Sequence, residues 1–200
     1  ETVIASCPEQ PDLEQRVVTD VAKERGMDPV DLVLDLALES NLEARFRMAI
    51  MNTDESIVEE LLTHPAVVLG LSDAGAHASQ LCDACFSTHL LSHWVREKRV
   101  LSLPQAVRLL TSRSAEVFGI QGRGTLAQGW AADITIFDPD TVGCSPLRRV
   151  NDFPAGADRL VADAEGISAV VVNGTLVREE GRDVVDPEGP LPGHLIRSKS

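Results

Sequence analysis

Ser72-Asp73-Ala74-Gly75-Ala76-His77 sets a carboxylate and an imidazole four residues apart, with only small residues between them. A carboxylate in such a loop can bind a metal or act as a general base, and the small residues let a ligand approach the backbone. An unbroken run, Ala66-Val67-Val68-Leu69-Gly70-Leu71, leads straight into it. A run of that character reads as a strand buried on both faces, as in a parallel sheet. The loop beyond the C-terminal end of such a strand is where α/β sheets and barrels build their sites. The plainer alternative has Asp73 capping the following turn and His77 facing solvent, and the pattern alone leaves both open.

A second group has metal-ligand residue types. Cys82, Cys85, His89 and His93 read as C-x2-C-x3-H-x3-H, superficially a zinc pattern. Yet the segment 81–95 contains neither Gly nor Pro and predicts one continuous helix. Strung along a helix, the outermost of the four spread over about 16 Å, too far for one ion with bonds of about 2.1–2.3 Å. The pair His89/His93 keeps helical spacing but lacks the glutamate of H-E-x-x-H. A packing role for Cys85 and His89 is the simpler expectation. Neither a phosphate-cradling G-x-x-x-x-G-K-[ST] nor a G-x-S-x-G elbow occurs in the sequence, so those two chemistries have no support.

The elements that must carry these residues alternate. The N-terminal run from Thr2 to Ser6 reads as a strand already in progress, without an initiator Met, and suggests a fragment. From Pro11, the apolar residues Leu13, Val17, Val18 and Val21 recur at helical spacing up to a Gly26 C-cap, and Asp28-Pro29 opens a second helix as N-cap and first-turn proline. Phe46, Met48 and Ile50 alternate as in a strand, and Ile57, Val58, Leu61 and Leu62 form a helix that stops before Pro65. Further helices open at Ser102-Leu103-Pro104 and close near Phe118-Gly119. Strands alternating with helices of this size indicate βα units. Beyond residue 120, Gly and Pro punctuate short segments, Ile134-Thr135-Ile136-Phe137 reads as a strand, and Asn173-Gly174 between two apolar runs signals a hairpin. The run Arg178-Glu179-Glu180-Gly181-Arg182-Asp183 reads as a solvated hairpin end, and the tail through Arg197-Ser198-Lys199-Ser200 as loosely held.

Composition narrows the function classes. In 200 residues, 18 Lys plus Arg face 31 Asp plus Glu, a formal charge of -13. That surplus repels nucleic-acid phosphates and anionic lipid, so neither is an expected partner. No apolar run approaches the roughly 18 residues of a membrane span. Four cysteines in a chain of this length are too sparse for a disulfide scaffold and favour a reducing cytoplasm.

Two passages together resemble a known family. Val68-Leu69-Gly70-Leu71-Ser72-Asp73-Ala74-Gly75-Ala76-His77 is similar to the last barrel strand and aspartate loop of the amidohydrolase superfamily, in its N-acyl-D-amino-acid deacylase (D-aminoacylase) branch. Downstream, the glycine, leucine, alanine-aspartate and Phe-Asp-Pro positions between Gly124 and Pro139 resemble the point where those enzymes leave the barrel for a small β-sandwich. The resemblance implies an α/β fold: the last βα units of a TIM-like (β/α)8 barrel over residues 1–120, then C-terminal strands of a β-sandwich over 121–200. It implies a zinc-dependent hydrolase of N-acyl-D-amino acids or a related small amide. In that picture Asp73 contacts the metal and serves as acid/base toward its bound water, with Ser72 and His77 facing substrate. The family's His-x-His has no counterpart among His64, His77, His89, His93 and His194. The resemblance therefore implies the C-terminal third of such an enzyme, inactive alone, with unpaired edges that favour self-association into a homo-oligomer. The contrasting expectation is a non-catalytic α/β interaction domain.

Overall fold

The computed structural model describes residues 1–80, 82 and 84–197. It divides into two compact units, Glu1–Val58 and Glu59–Ser200.

In the first unit, β1 (Thr2–Ser6) pairs antiparallel with β2 (Arg45–Met48), Ile4 opposite Phe46. The other edge of β1 is closed by the chain itself, Ile4 N donating to Arg16 O at 2.9 Å and Gln15 N to Ile4 O at 2.8 Å. This detour breaks the helix expected from residue 11. Leu13 ends a single 3-10 turn, Gln15 takes a φ of 66°, and α1 begins only at Val18 (Val18–Arg25), stopping at Gly26 as expected. The following α2 (Pro29–Glu39) opens where the sequence places it, with Asp28 Oδ1 accepting from Val30 N at 2.8 Å. Ile4, Cys7, Leu13, Val18, Val21, Ala22, Leu32 and Leu36 form the core. A further helix, α3 (Glu55–Thr63), runs through the point at which the units divide and stops before Pro65 as expected.

In the second unit, α4 (Phe86–His89) continues into a π-helix over Leu90–Glu97, where Lys98 N reaches His93 O at 2.8 Å. Next come α5 (Leu103–Leu110), whose Ser102 N donates to Gln105 Oε1 at 2.8 Å, and α6 (Ser112–Val117). The strands follow: β3 (Ile134–Phe137), β4 (Gly143–Cys144), β5 (Arg148–Val150), β6 (Arg159–Val161), β7 (Ala164–Glu165), β8 (Ile167–Val172), β9 (Thr175–Glu179) and β10 (Arg182–Asp183). They form one sheet in the order β10-β9-β8-β3 and two separate ladders, β4-β7 and β5-β6. Asn173 and Gly174, with φ of 46° and 80°, make the two-residue turn between β8 and β9, as a type I′ hairpin requires. Leu90, Leu91, Trp94, Leu101 and Val142 are buried, and Arg96 Nη1 donates to Val142 O at 2.7 Å, joining the π-helix to the strands.

Three further sequence expectations need correction. Every ladder among the described residues is antiparallel, so no parallel βα pairing forms here. Residues 66–71 start in a turn, Val67 N donating to His64 O at 3.1 Å, and belong to no ladder among the described residues, and Leu71 is 86% exposed. Apolar side chains mark a segment for burial without supplying the neighbours that bury it, and no described strand lies beside this one. The single helix over 81–95 is instead turns, a short α-helix and a π-helix, with Leu81 and Asp83 outside the described residues. Ser198, Lys199 and Ser200 of the expected loose tail also lie outside them. No helix among the described residues is long and apolar enough to cross a membrane.

Candidate active-site loop

The Ser72–His77 stretch is built from consecutive turns. Ser72 Oγ accepts from Ala74 N at 3.3 Å, and Ala76 N donates to Asp73 O at 2.9 Å across a turn whose third residue, Gly75, has φ of 91°. A second turn follows directly, Gln80 N donating to His77 O at 2.7 Å. Asp73 and His77 are exposed and Ser72 is half-buried. Within the turn the Asp73 carbonyl and the Ser72 hydroxyl accept backbone N–H groups, and His77 faces solvent as the plainer alternative has it.

Contacts remote in sequence hold the chain ahead of this loop, at Pro65, and directly behind it. Ahead of it, Arg113 Nη2 donates to Pro65 O at 3.0 Å. Behind it, Leu160 N donates to Ala78 O at 2.8 Å and Arg149 Nη1 to Ser79 O at 3.1 Å. These contacts come from α6 and the β5-β6 hairpin, neither of which was expected near the loop. The hairpin is itself braced by ion pairs: Arg148 with Asp163 at 3.0 Å, Arg149 with Asp158, and Arg159 with Asp152 through two bonds of 2.7 Å. Hydrogen bonding to Asp152 raises the pKa of Arg159, and the same bonds lower that of Asp152. The Arg159 guanidinium also lies 5.5 Å over the Phe153 ring. The sequence signals for this hairpin are Pro154 and Gly156 between its strands and the arginines of an acidic chain.

The Cys/His group takes a different form from a zinc site. His89 and His93 stack with ring centroids 4.9 Å apart, and His93 Nδ1 lies 3.0 Å from Glu97 Oε2. Cys82 precedes the helix and Cys85 sits at its start, and the four cysteines form no disulfide. Among the described residues no group of three or more His, Cys, Asp or Glu is arranged to hold a metal ion. Asp73 thus offers one carboxylate, and these residues alone do not fit a resident zinc.

The glycine-rich passage has a structural use. Asp133 Oδ1 accepts from Asn173 N at 2.9 Å, Arg123 pairs with the other Asp133 oxygen, and Arg123 Nη2 donates to Asn173 Oδ1 at 2.6 Å. The Asn173 amide bond is the largest cause holding the Asp133 carboxyl below its usual range, with Arg123 adding to it. This triangle locks the hairpin turn to the start of β3.

Comparison with known proteins gives these features a family. The amidohydrolase family matches residues 8–178. D-aminoacylase of Alcaligenes xylosoxydans xylosoxydans is 32% identical over 181 residues, 90% of this chain and 34% of that protein. N-acyl-D-glutamate deacylase of the same organism is 35% identical over 147 residues, 72% of this chain and 27% of that protein. A D-aminoacylase crystal structure aligns with a TM-score of 0.51 at 27% identity, covering 92% of this chain and 36% of its own. This chain therefore spans about a third of the length of those relatives. The family match takes in the Asp73 loop, the Arg123–Asp133–Asn173 triangle and the hairpin between them, and the chain belongs to the amidohydrolase family, in the region it shares with the D-aminoacylase branch.

Proposed function

We propose that this chain carries the acid/base carboxylate of an amide hydrolase that deacylates N-acyl-D-amino acids or a related small amide. The observation that carries the reading is Asp73: an exposed carboxylate on a turn tied down on its C-terminal side, in the region shared with deacylases. Amide hydrolysis forms a carbon–oxygen bond from water and breaks the carbon–nitrogen bond. Water must lose a proton as it attacks, and the amine must gain one as it leaves. One carboxylate that accepts the first proton and returns it to nitrogen serves both needs, worth about 10²–10⁴ in rate. Ser72 and His77, beside it on the same loop, are assigned to the substrate.

Residues 1–120 correspond in this reading to the closing βα units of the family's barrel and 121–200 to its return strands. The neighbours that residues 66–71 lack would come from the part of the relatives' length that this chain does not span. The zinc implied by the resemblance belongs there as well, because the described residues do not assemble its ligands. The 200-residue chain alone is then inactive.

The test is Asp73→Asn in the whole protein, assayed against a panel of N-acetyl-D-amino acids. The expected result is a fall in kcat of about 10²–10⁴ with circular dichroism unchanged. Full activity in that variant would remove the role and leave the non-catalytic interaction domain as the better reading.

A further inference from the structure

The geometry points to Arg149 as a positioning residue for the Asp73 loop, acting through the backbone of Ser79. This deepens the proposed function and rests on Asp73 being the acid/base group. Turns stitch the loop to itself, but a turn fixes only local shape: Ala76 N to Asp73 O and Gln80 N to His77 O leave the whole segment free to swing. Its bearing on the rest of the unit needs remote contacts.

The β5-β6 hairpin supplies them in register. Arg149 and Leu160 are directly opposite each other in the ladder, and they take two consecutive carbonyls of the loop. Leu160 N donates to Ala78 O at 2.8 Å, and Arg149 Nη1 donates to Ser79 O at 3.1 Å. The backbone contact alone is one hydrogen bond about which the loop can rotate; the guanidinium beside it makes a two-point grip. Asp158, across the hairpin end, pairs with Arg149 and aims the planar fork. A fork can hold a carboxylate and a carbonyl in fixed directions at once, which an ammonium point charge does less well. Displacement of a reacting group by about 1 Å costs up to 10² in rate, so releasing this grip acts on turnover more than on binding.

Two readouts on the whole protein separate this proposal from the reading beneath it. Hydrogen–deuterium exchange of peptides covering 72–80 should rise about tenfold in Arg149→Met, with peptides covering β3 unchanged. On N-acetyl-D-amino acids the same variant should lose 10- to 100-fold in kcat with KM within twofold, and Arg149→Lys should recover part of both effects. Combined with Asp73→Asn, Arg149→Met should add little further loss, since both act through one carboxylate. Should Arg149→Met not fold, Arg149→Lys carries the same comparison with smaller effects. Unchanged exchange over 72–80 would overturn the grip. Faster exchange with unchanged kcat, while Asp73→Asn is crippled, would overturn the positioning role and spare the catalytic reading. If Asp73→Asn keeps full activity, or no amide is hydrolysed, the underlying reading fails and the exchange result still decides whether the grip exists.

Discussion

Replacing Asp133 by Asn tests whether its carboxylate is a structural lock. Asn keeps an oxygen for the Asn173 amide, now 2.9 Å from Asp133 Oδ1, but only as a neutral acceptor. Its other atom becomes an amide nitrogen facing the Arg123 guanidinium, donor against donor. A hydrogen bond to a charged group is worth about 1.5–3 kcal/mol, while an exposed ion pair is worth about 0–1 kcal/mol. The Arg123 and Asp133 side chains are 20% and 33% exposed, between those limits, and Arg123 keeps its bond to Asn173 Oδ1. The net cost should be about 2 kcal/mol. Both tryptophans, Trp94 and Trp130, fall within Glu59–Ser200, so their fluorescence in urea follows that unit. With a slope of about 2 kcal/mol/M, the midpoint should fall by about 1 M. The pH dependence has a definite sign. The folded carboxyl titrates below its unfolded value of about 3.9, so its contribution is complete above that value and is lost as pH falls through the folded one. The difference between wild type and variant should stay constant from about pH 5 to 8 and shrink below about pH 4. A midpoint within about 0.2 M of wild type, or a difference that persists undiminished in acid, would refute the argument.

Two glycines in the same backbone region should behave differently on substitution by Ala. Gly174 (φ 80°) has nothing within 4 Å of an added Cβ, whereas at Gly166 (φ 67°) that Cβ would sit 2.6 Å from Val142 N. Gly174→Ala should cost only the left-handed penalty of about 1–2 kcal/mol, and Gly166→Ala about 3–4 kcal/mol because backbone must move; equal urea midpoints would contradict this. Asp28→Ala removes the cap on Val30 N and should cost about 1 kcal/mol, read as a lower melting temperature by far-ultraviolet circular dichroism.

What was legible in the sequence is what the chain decides within a few residues. Asp28 finds Val30 N two positions on, Gly26 ends α1, and Asn173-Gly174 turns the hairpin between immediate neighbours. Each is a local competition that the residue types settle. Residues 66–71 failed for the opposite reason: a strand is a relation to a neighbour, and apolar content states only the demand. The helix from residue 11 was lost to the bond between Gln15 N and Ile4 O, where closing the open edge of β1 outweighed helical spacing. The candidate site divides the same way. Ser72, Asp73 and His77 were visible as a motif, but the grip of Arg149 on Ser79 spans 70 positions, and no pattern along the chain encodes it.

The first unit's α2 shows the same principle as surplus. Leu32 and Leu36 are buried in the core, yet Val30, Leu34 and Leu38, one turn apart on another face, are 65%, 54% and 72% exposed. A helix that is apolar on two faces ordinarily sits with both covered, and each such side chain is worth about 1.5–3 kcal/mol when fully buried. The 200-residue chain leaves that stripe in water, so it should bind a hydrophobic dye and self-associate as concentration rises. Leu34→Lys with Leu38→Lys should abolish most of the dye signal and the association. Melting should move little, because neither residue belongs to the core cluster. A chain that stays monomeric at high concentration without lighting the dye would show that exposed apolar area here drives nothing. The apolar run at 66–71 would then also need another explanation.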